Sequence, residues 1–160
     1  MAQKTNAIRI SPVSAGPDGR LAPAGAIRLA GALLALAVAA VHVADQGGIT
    51  ALAAPAWIGW GYRLIEMGGV AVAAGLLLPR SAWRGRDWLP WMAGALLGAG
   101  PMLGYLASRT IGLPGDRADV GNWDYWLGTV SLFAEAALII LSASMAVAGG
   151  IAMRAQPSTR

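Results

Sequence analysis

The residues able to do chemistry in this chain are the few polar ones set inside long apolar runs. Glu66 and Glu135 each lie within such a run. A carboxyl group in those surroundings is costly unless a cation pairs with it or it takes up a proton. Candidate partners stand at helical spacing. His42 and Asp45 are three apart, Arg63 precedes Glu66 by three, and Tyr105 precedes Arg109 by four. Residues three or four apart share a helix face, so each pair is presented together. Gly128, Ser131, Glu135 and Ser142 step by three, four and seven along one face. These groups could form ion pairs that tie helices together. They could equally hold a proton, a cation or a small ligand. His42, Asp45, Glu66 and Glu135 are also ligand types for a divalent metal. A single histidine without an HExxH pattern argues against that, and no metal is assigned. Met67, Met92 and Met102 read as apolar filler rather than a copper path.

Other chemistry is excluded by what the sequence lacks. It has no cysteine, hence no disulfide, thiol or iron–sulfur chemistry. One histidine cannot supply both axial ligands of a haem. There is no phosphate-binding loop, no GxSxG turn and no paired histidine for zinc. No catalytic residue and no cofactor are assigned, and an enzyme is not expected.

The elements that position these residues follow from composition. Of 160 residues, 56% are hydrophobic and 12% charged, the latter about half the 25% usual in soluble domains. Mean hydropathy is +0.55. That excludes a soluble enzyme and a disordered chain. The net charge of +4 does not indicate a nucleic-acid partner, because the bases sit in tails and one short loop. Four apolar segments, at 26–45, 58–79, 88–108 and 127–152, have the roughly 20 residues that cross a ~30 Å hydrocarbon core. The expected fold is an all-α membrane protein, a bundle of four transmembrane helices with the lipid bilayer as its surroundings. Residues 1–25, rich in Pro, Gly and Ser, read as a disordered cytoplasmic tail, and 153–160 as a second cytoplasmic tail. The first segment has an alternative reading as a cleaved signal: bases, an apolar stretch, then alanines.

Charge orients the bundle. Nine bases fall before or in the first turn of the first segment, between the second and third, or after the fourth; only Arg63, Arg109 and Arg117 fall on the other side. The positive-inside rule then puts both termini in the cytoplasm of a multi-pass cell-membrane protein. Trp57, Trp60, Trp123 and Trp126 would mark the outer interface, and Trp83, Trp88 and Trp91 the inner one. His42, Asp45, Arg63, Glu66, Tyr105, Arg109 and Glu135 thereby fall in one polar layer near the outer leaflet.

The loops carry their own signals. Residues 46–57 are nearly uncharged and could form a short interfacial helix. Gly112-Leu113-Pro114-Gly115 is a turn signal, Asn122 an expected N-cap of the last helix, and Asp124 suits its positive end. Gly94 and Gly98 allow close helix approach, within the bundle or to a second copy or membrane-protein partner. Pro101 should kink the third helix. Arg109, closing that helix, is expected to bend inward and pair with Glu135, with Glu66 as the rival partner.

The stretch Ser108-Arg109-Thr110-Ile111-Gly112-Leu113-Pro114-Gly115, followed by Gly121-Asn122-Trp123, Gly128, Ser131-Leu132 and Glu135, resembles an uncharacterised group of small four-span membrane proteins of actinobacterial type. These carry an SRTxGLPG stretch before a last helix with a buried Glu, and His42 fits the same pattern. The resemblance implies that Arg109, the GLPG turn and Glu135 form a unit; it implies no activity. Two functions stay open. One is a non-enzymatic accessory or scaffold subunit whose polar layer fixes helix packing. The other is a carrier or sensor that binds a proton, cation or small ligand at an outward site.

Overall fold

The structure, a computed structural model, describes residues 23–154, with side chains for residues 24–148. Over that range the chain is all-helical. The four helices are α1 (Pro23–Asp45), α2 (Ala56–Leu77), α3 (Leu89–Thr110) and α4 (Trp126–Arg154). A short 3-10 turn, Arg80–Trp83, lies between α2 and α3. The helix ends fall within three residues of the apolar segments, and prolines account for the shifts. Pro23 can open α1 because a first-turn residue needs no backbone donor. Residues 23–25 are therefore helix rather than tail, as are 153 and 154. The rest of both expected tails lies outside the described residues. Pro55 stands just before α2, which ends at Leu77 because Pro79 holds Leu78 extended. Pro90 opens α3, and that helix continues through Pro101.

The helices form a ring in chain order. Packing is closest between α1 and α2 and between α3 and α4; α4 closes on α1, and α2 and α3 are more loosely joined. Short connections make neighbours antiparallel. The end of α1, the start of α2, the end of α3 and the start of α4 consequently meet at one end of the bundle.

Side chains are distributed in the inverse of a soluble bundle. The interior is small: Ala32, Ala35, Val38 and Ala39 on α1 meet Val72, Ala73 and Leu76 on α2 and Leu138 on α4. Gly69 lies so close to α1 that a Cβ there would sit 2.6 Å from the Ala35 carbonyl oxygen. Gly94 and Gly98 are buried against α4: a Cβ would meet Ser142 Oγ at 2.7 Å and the Glu135 carbonyl oxygen at 2.8 Å. The small-residue motif is thus occupied within the chain. The large side chains point outward instead, among them Leu33, Leu64, Met67, Leu103, Phe133 and Ile140. Two helices, Ala24–Asp45 and Trp126–Ala148, are long and apolar enough to cross a membrane.

Several polar groups serve the fold alone. Arg28, 9% exposed, donates to the carbonyls of Leu76 (2.6 Å), Gly75 (3.3 Å) and Leu78 (2.9 Å). These are carbonyls that the end of α2 leaves without helical partners. Trp83 Nε1 donates to the Gly75 carbonyl as well. Trp91, expected at the inner interface, is instead 3% exposed and belongs to the core, covering Gly31 and Leu76.

Candidate functional site

The polar layer expected from the sequence is gathered at the end of the bundle opposite Arg28, but it divides into two groups. The first is a knot between α1, the following loop and α2. Arg63 Nη1 donates to Glu66 Oε2 at 2.5 Å, and its Nη2 to the Ala51 carbonyl. Gln46 donates to Glu66 Oε1 at 2.9 Å and accepts from the Ala53 backbone N–H at 3.2 Å. Both Glu66 oxygens are satisfied, and loop 46–55 is pinned rather than folded into the expected short helix. Gln46 was not singled out by spacing, because it stands just past the apolar run.

The second group surrounds a cavity of about 700 Å³. His42 and Asp45 enter it from α1, Tyr62 from α2, Tyr105 and Arg109 from α3, and Glu135 from α4. Arg63 and Glu66 do not line it. Asp45 accepts from two phenols, Tyr62 on α2 and Tyr125 just before α4, the latter at 2.6 Å. Burial, and then the hydrogen bond to Asp45, pushes the Tyr125 phenol up to about 12, so it remains a donor across the physiological range.

Arg109 does not pair with Glu135 or Glu66, contrary to the sequence expectation. Its Nη1 lies 2.5 Å from Asp119 Oδ2, and its guanidinium carbon 4.7 Å from the Tyr105 ring centre and 5.8 Å from that of Tyr125. The ion pair is close but off the hydrogen-bond direction, which leaves Nη1 and Nε without a directed partner. The reason is loop 111–125. It folds back over the end of α3, Gly121 N–H bonding the Arg109 carbonyl at 2.9 Å, and so brings Asp119 to the arginine. Gly112, at φ +80°, ends α3, its N–H bonding the Ala107 carbonyl. Leu113 and Asp116 then exchange two backbone hydrogen bonds of 2.8 and 2.9 Å around Pro114 and Gly115. Gly115, at φ +80°, supplies the conformation a proline–glycine turn requires. Trp57 Nε1 ties this turn to α2 through the Pro114 carbonyl. Asn122 is no N-cap: it bonds Asp119, four residues ahead of α4.

Glu135 is 1% exposed. Its Oε1 accepts from Ser131 at 2.6 Å and faces His42 Nε2 at 3.8 Å. Its Oε2 is buried with no partner among the described residues. His42 Nδ1 is 2.8 Å from the Val38 carbonyl. Since a carbonyl only accepts, Nδ1 carries a proton and Nε2 is the nitrogen turned to Glu135. The four metal-ligand types do not converge, because Asp45 and Glu66 are committed to other donors. Among the described residues no three such side chains form a metal-holding group. The turn residue Leu113 lines the same cavity as Arg109 and Glu135, although the two charges are not directly joined.

No family model, curated protein or solved structure matches this chain.

Proposed function

We propose that the chain is a four-span integral protein of the cell membrane, with both termini in the cytoplasm, and that its outward cavity binds a small ligand for carriage or sensing. The membrane reading is supported by large apolar side chains facing outward on all four helices. It is supported also by Arg28, Arg80, Arg84 and Arg86 at the end opposite the cavity, and by exposed Trp57, Trp60, Trp123 and Trp126 around the cavity end. Of the other two helices, α2 carries the Arg63–Glu66 pair and α3 carries Arg109, which is paired with Asp119. Those charges are neutralised inside the bundle, which makes burial in lipid affordable.

One observation carries the ligand reading. Glu135 is enclosed at the wall of a ~700 Å³ cavity with a carboxyl oxygen that has no hydrogen-bond partner among the described residues. Pockets of this size hold small molecules. A buried polar group left without a partner destabilises the fold and calls for a cause, and beside a cavity a bound ligand is one that fits. A second reading, a scaffold subunit, is favoured by the knot of Gln46, Arg63 and Glu66, whose hydrogen bonds are all internal.

The chain has no cysteine, so single cysteines report cleanly. Asn122→Cys and Gly104→Cys should react with a membrane-impermeant maleimide in intact cells; Ser81→Cys should react only after permeabilisation. Labelling of Ser81→Cys and Asn122→Cys from the same side would remove the four-span reading. An unreactive Gly104→Cys beside a reactive Asn122→Cys would remove the open cavity.

A further inference from the structure

The cavity is not closed on all sides. On α2 and α3, Gly61, Gly100 and Gly104 have nothing within 4 Å of where a Cβ would stand. Two turns below Gly61, on the same face, a Cβ on Gly68 would lie 3.2 Å from Leu97 Cδ1. The two helices therefore meet at Gly68 and Leu97 and part toward the outer end. Leu64 and Leu96, 72% and 68% exposed, line the cavity while facing the outside of the bundle. The cavity thus has an apolar lateral opening between α2 and α3, where the outer leaflet would lie, besides the polar outer end lined by Asp116, Asp119 and Asn122.

Its inner wall has the opposite character. Asp45 and Glu135 face the cavity without an arginine or lysine partner, since the one arginine there, Arg109, is held by Asp119 and two tyrosine rings; the nearest basic group to Glu135 is His42, at 3.8 Å. An anion would meet two carboxyl groups and a guanidinium already paired. A cation would be met by both. For a metal ion, no three ligands converge among the described residues. The buried, unpartnered Glu135 Oε2 is an acceptor that an N–H donor would complete. A quaternary ammonium has none, and Arg109 already lies against the Tyr105 and Tyr125 rings that would attract one.

Resting on the ligand-site reading above, we propose that the site takes an amphipathic primary or secondary amine, which enters from the outer leaflet between α2 and α3. Its ammonium bonds Glu135 and approaches Asp45; its alkyl chain lies along Leu64, Leu96 and Pro101.

The test is thermal unfolding of the full chain in neutral detergent, titrated with dodecylammonium, dodecyltrimethylammonium, dodecanoate or butylammonium. Dodecylammonium should stabilise saturably, with half-saturation at least tenfold below that of the trimethyl compound and of butylammonium. Glu135→Gln should weaken it at least tenfold, and Gly104→Leu, which fills the gap, should abolish it; Gly100→Leu serves if Gly104→Leu does not fold. Saturable stabilisation by dodecanoate, lost in Gly104→Leu, would overturn the amine while leaving the ligand cavity standing. Equal effects of all four compounds on wild type and both variants, or no effect of any, would overturn the proposal. The cavity itself is judged separately by the reactivity of Gly104→Cys.

Discussion

His42 and Glu135 face each other across the α1–α4 interface, Nε2 3.8 Å from Oε1, with the imidazole fixed from behind by the Val38 carbonyl. A backbone acceptor four residues earlier on the same helix leaves the ring little choice of tautomer. His42 is the only histidine, so 15N-histidine NMR shows it alone. In the neutral ring Nδ1 should carry the proton and Nε2 should be bare. A neutral ring protonated on Nε2 would show that the Val38 bond does not set the tautomer.

Arg28 caps α2 from another helix. Replacing it with Met keeps the apolar stem and removes the three hydrogen bonds to Gly75, Leu76 and Leu78. Each buried carbonyl left without a donor costs about 1–3 kcal/mol, and partial rescue by water keeps the expected total near the lower half of that sum. A melting temperature lowered by several degrees is expected. An unchanged one would mean that the end of α2 satisfies itself.

Glycines on α2 should respond oppositely. Gly69→Ala places a methyl 2.6 Å from the Ala35 carbonyl oxygen and 2.7 Å from Ala39 Cβ. Backbone cannot yield as a side chain can, so a loss of about 1–3 kcal/mol is expected. Gly61→Ala meets open space and should gain roughly 0.5–1 kcal/mol from helix propensity. The difference between the two variants is the measurement; equal effects would contradict the close α1–α2 approach.

Arg109 is set by its planar group as well as its charge. Arg109→Lys keeps the charge near Asp119 but loses the broad contact with Tyr105 and Tyr125. Asp119 is 41% exposed, so its ion pair with Arg109 is partly screened. Arg109→Lys should therefore destabilise more than Asp119→Asn, and chemical denaturation of the two variants compares them. The reverse order would place the weight on the ion pair.

The parts of this structure legible in the sequence are those that depend on local rules. Helix positions followed from apolar length, and Arg63–Glu66 and Ser131–Glu135 from spacing within one helix. The proline–glycine turn at 114–115 followed from backbone restriction. What depends on the path of a loop did not follow. Arg109 was expected at Glu135 because both lie on adjacent helices, yet Asp119 is brought nearer by Gly112, Gly115 and Gly121, each at positive φ. Trp91 was read as interfacial because indole favours that level, but the glycine and leucine it covers are visible only in three dimensions. Arg28 counted only as a charge because its acceptors are backbone carbonyls nearly 50 residues away.

The central claim is that the polar layer has a structural half and a ligand half. Thermal unfolding of Glu66→Gln beside Glu135→Gln, without added ligand, tests it most directly. Glu66→Gln removes the charge that Arg63 requires in a partly buried pair, so a loss of about 2–3 kcal/mol is expected. Glu135→Gln keeps an oxygen for the Ser131 hydroxyl and removes a carboxyl group whose second oxygen has no partner among the described residues. Its melting temperature should equal that of the wild type or exceed it. A Glu135→Gln variant destabilised as much as Glu66→Gln would make Glu135 a part of the scaffold and contradict the account.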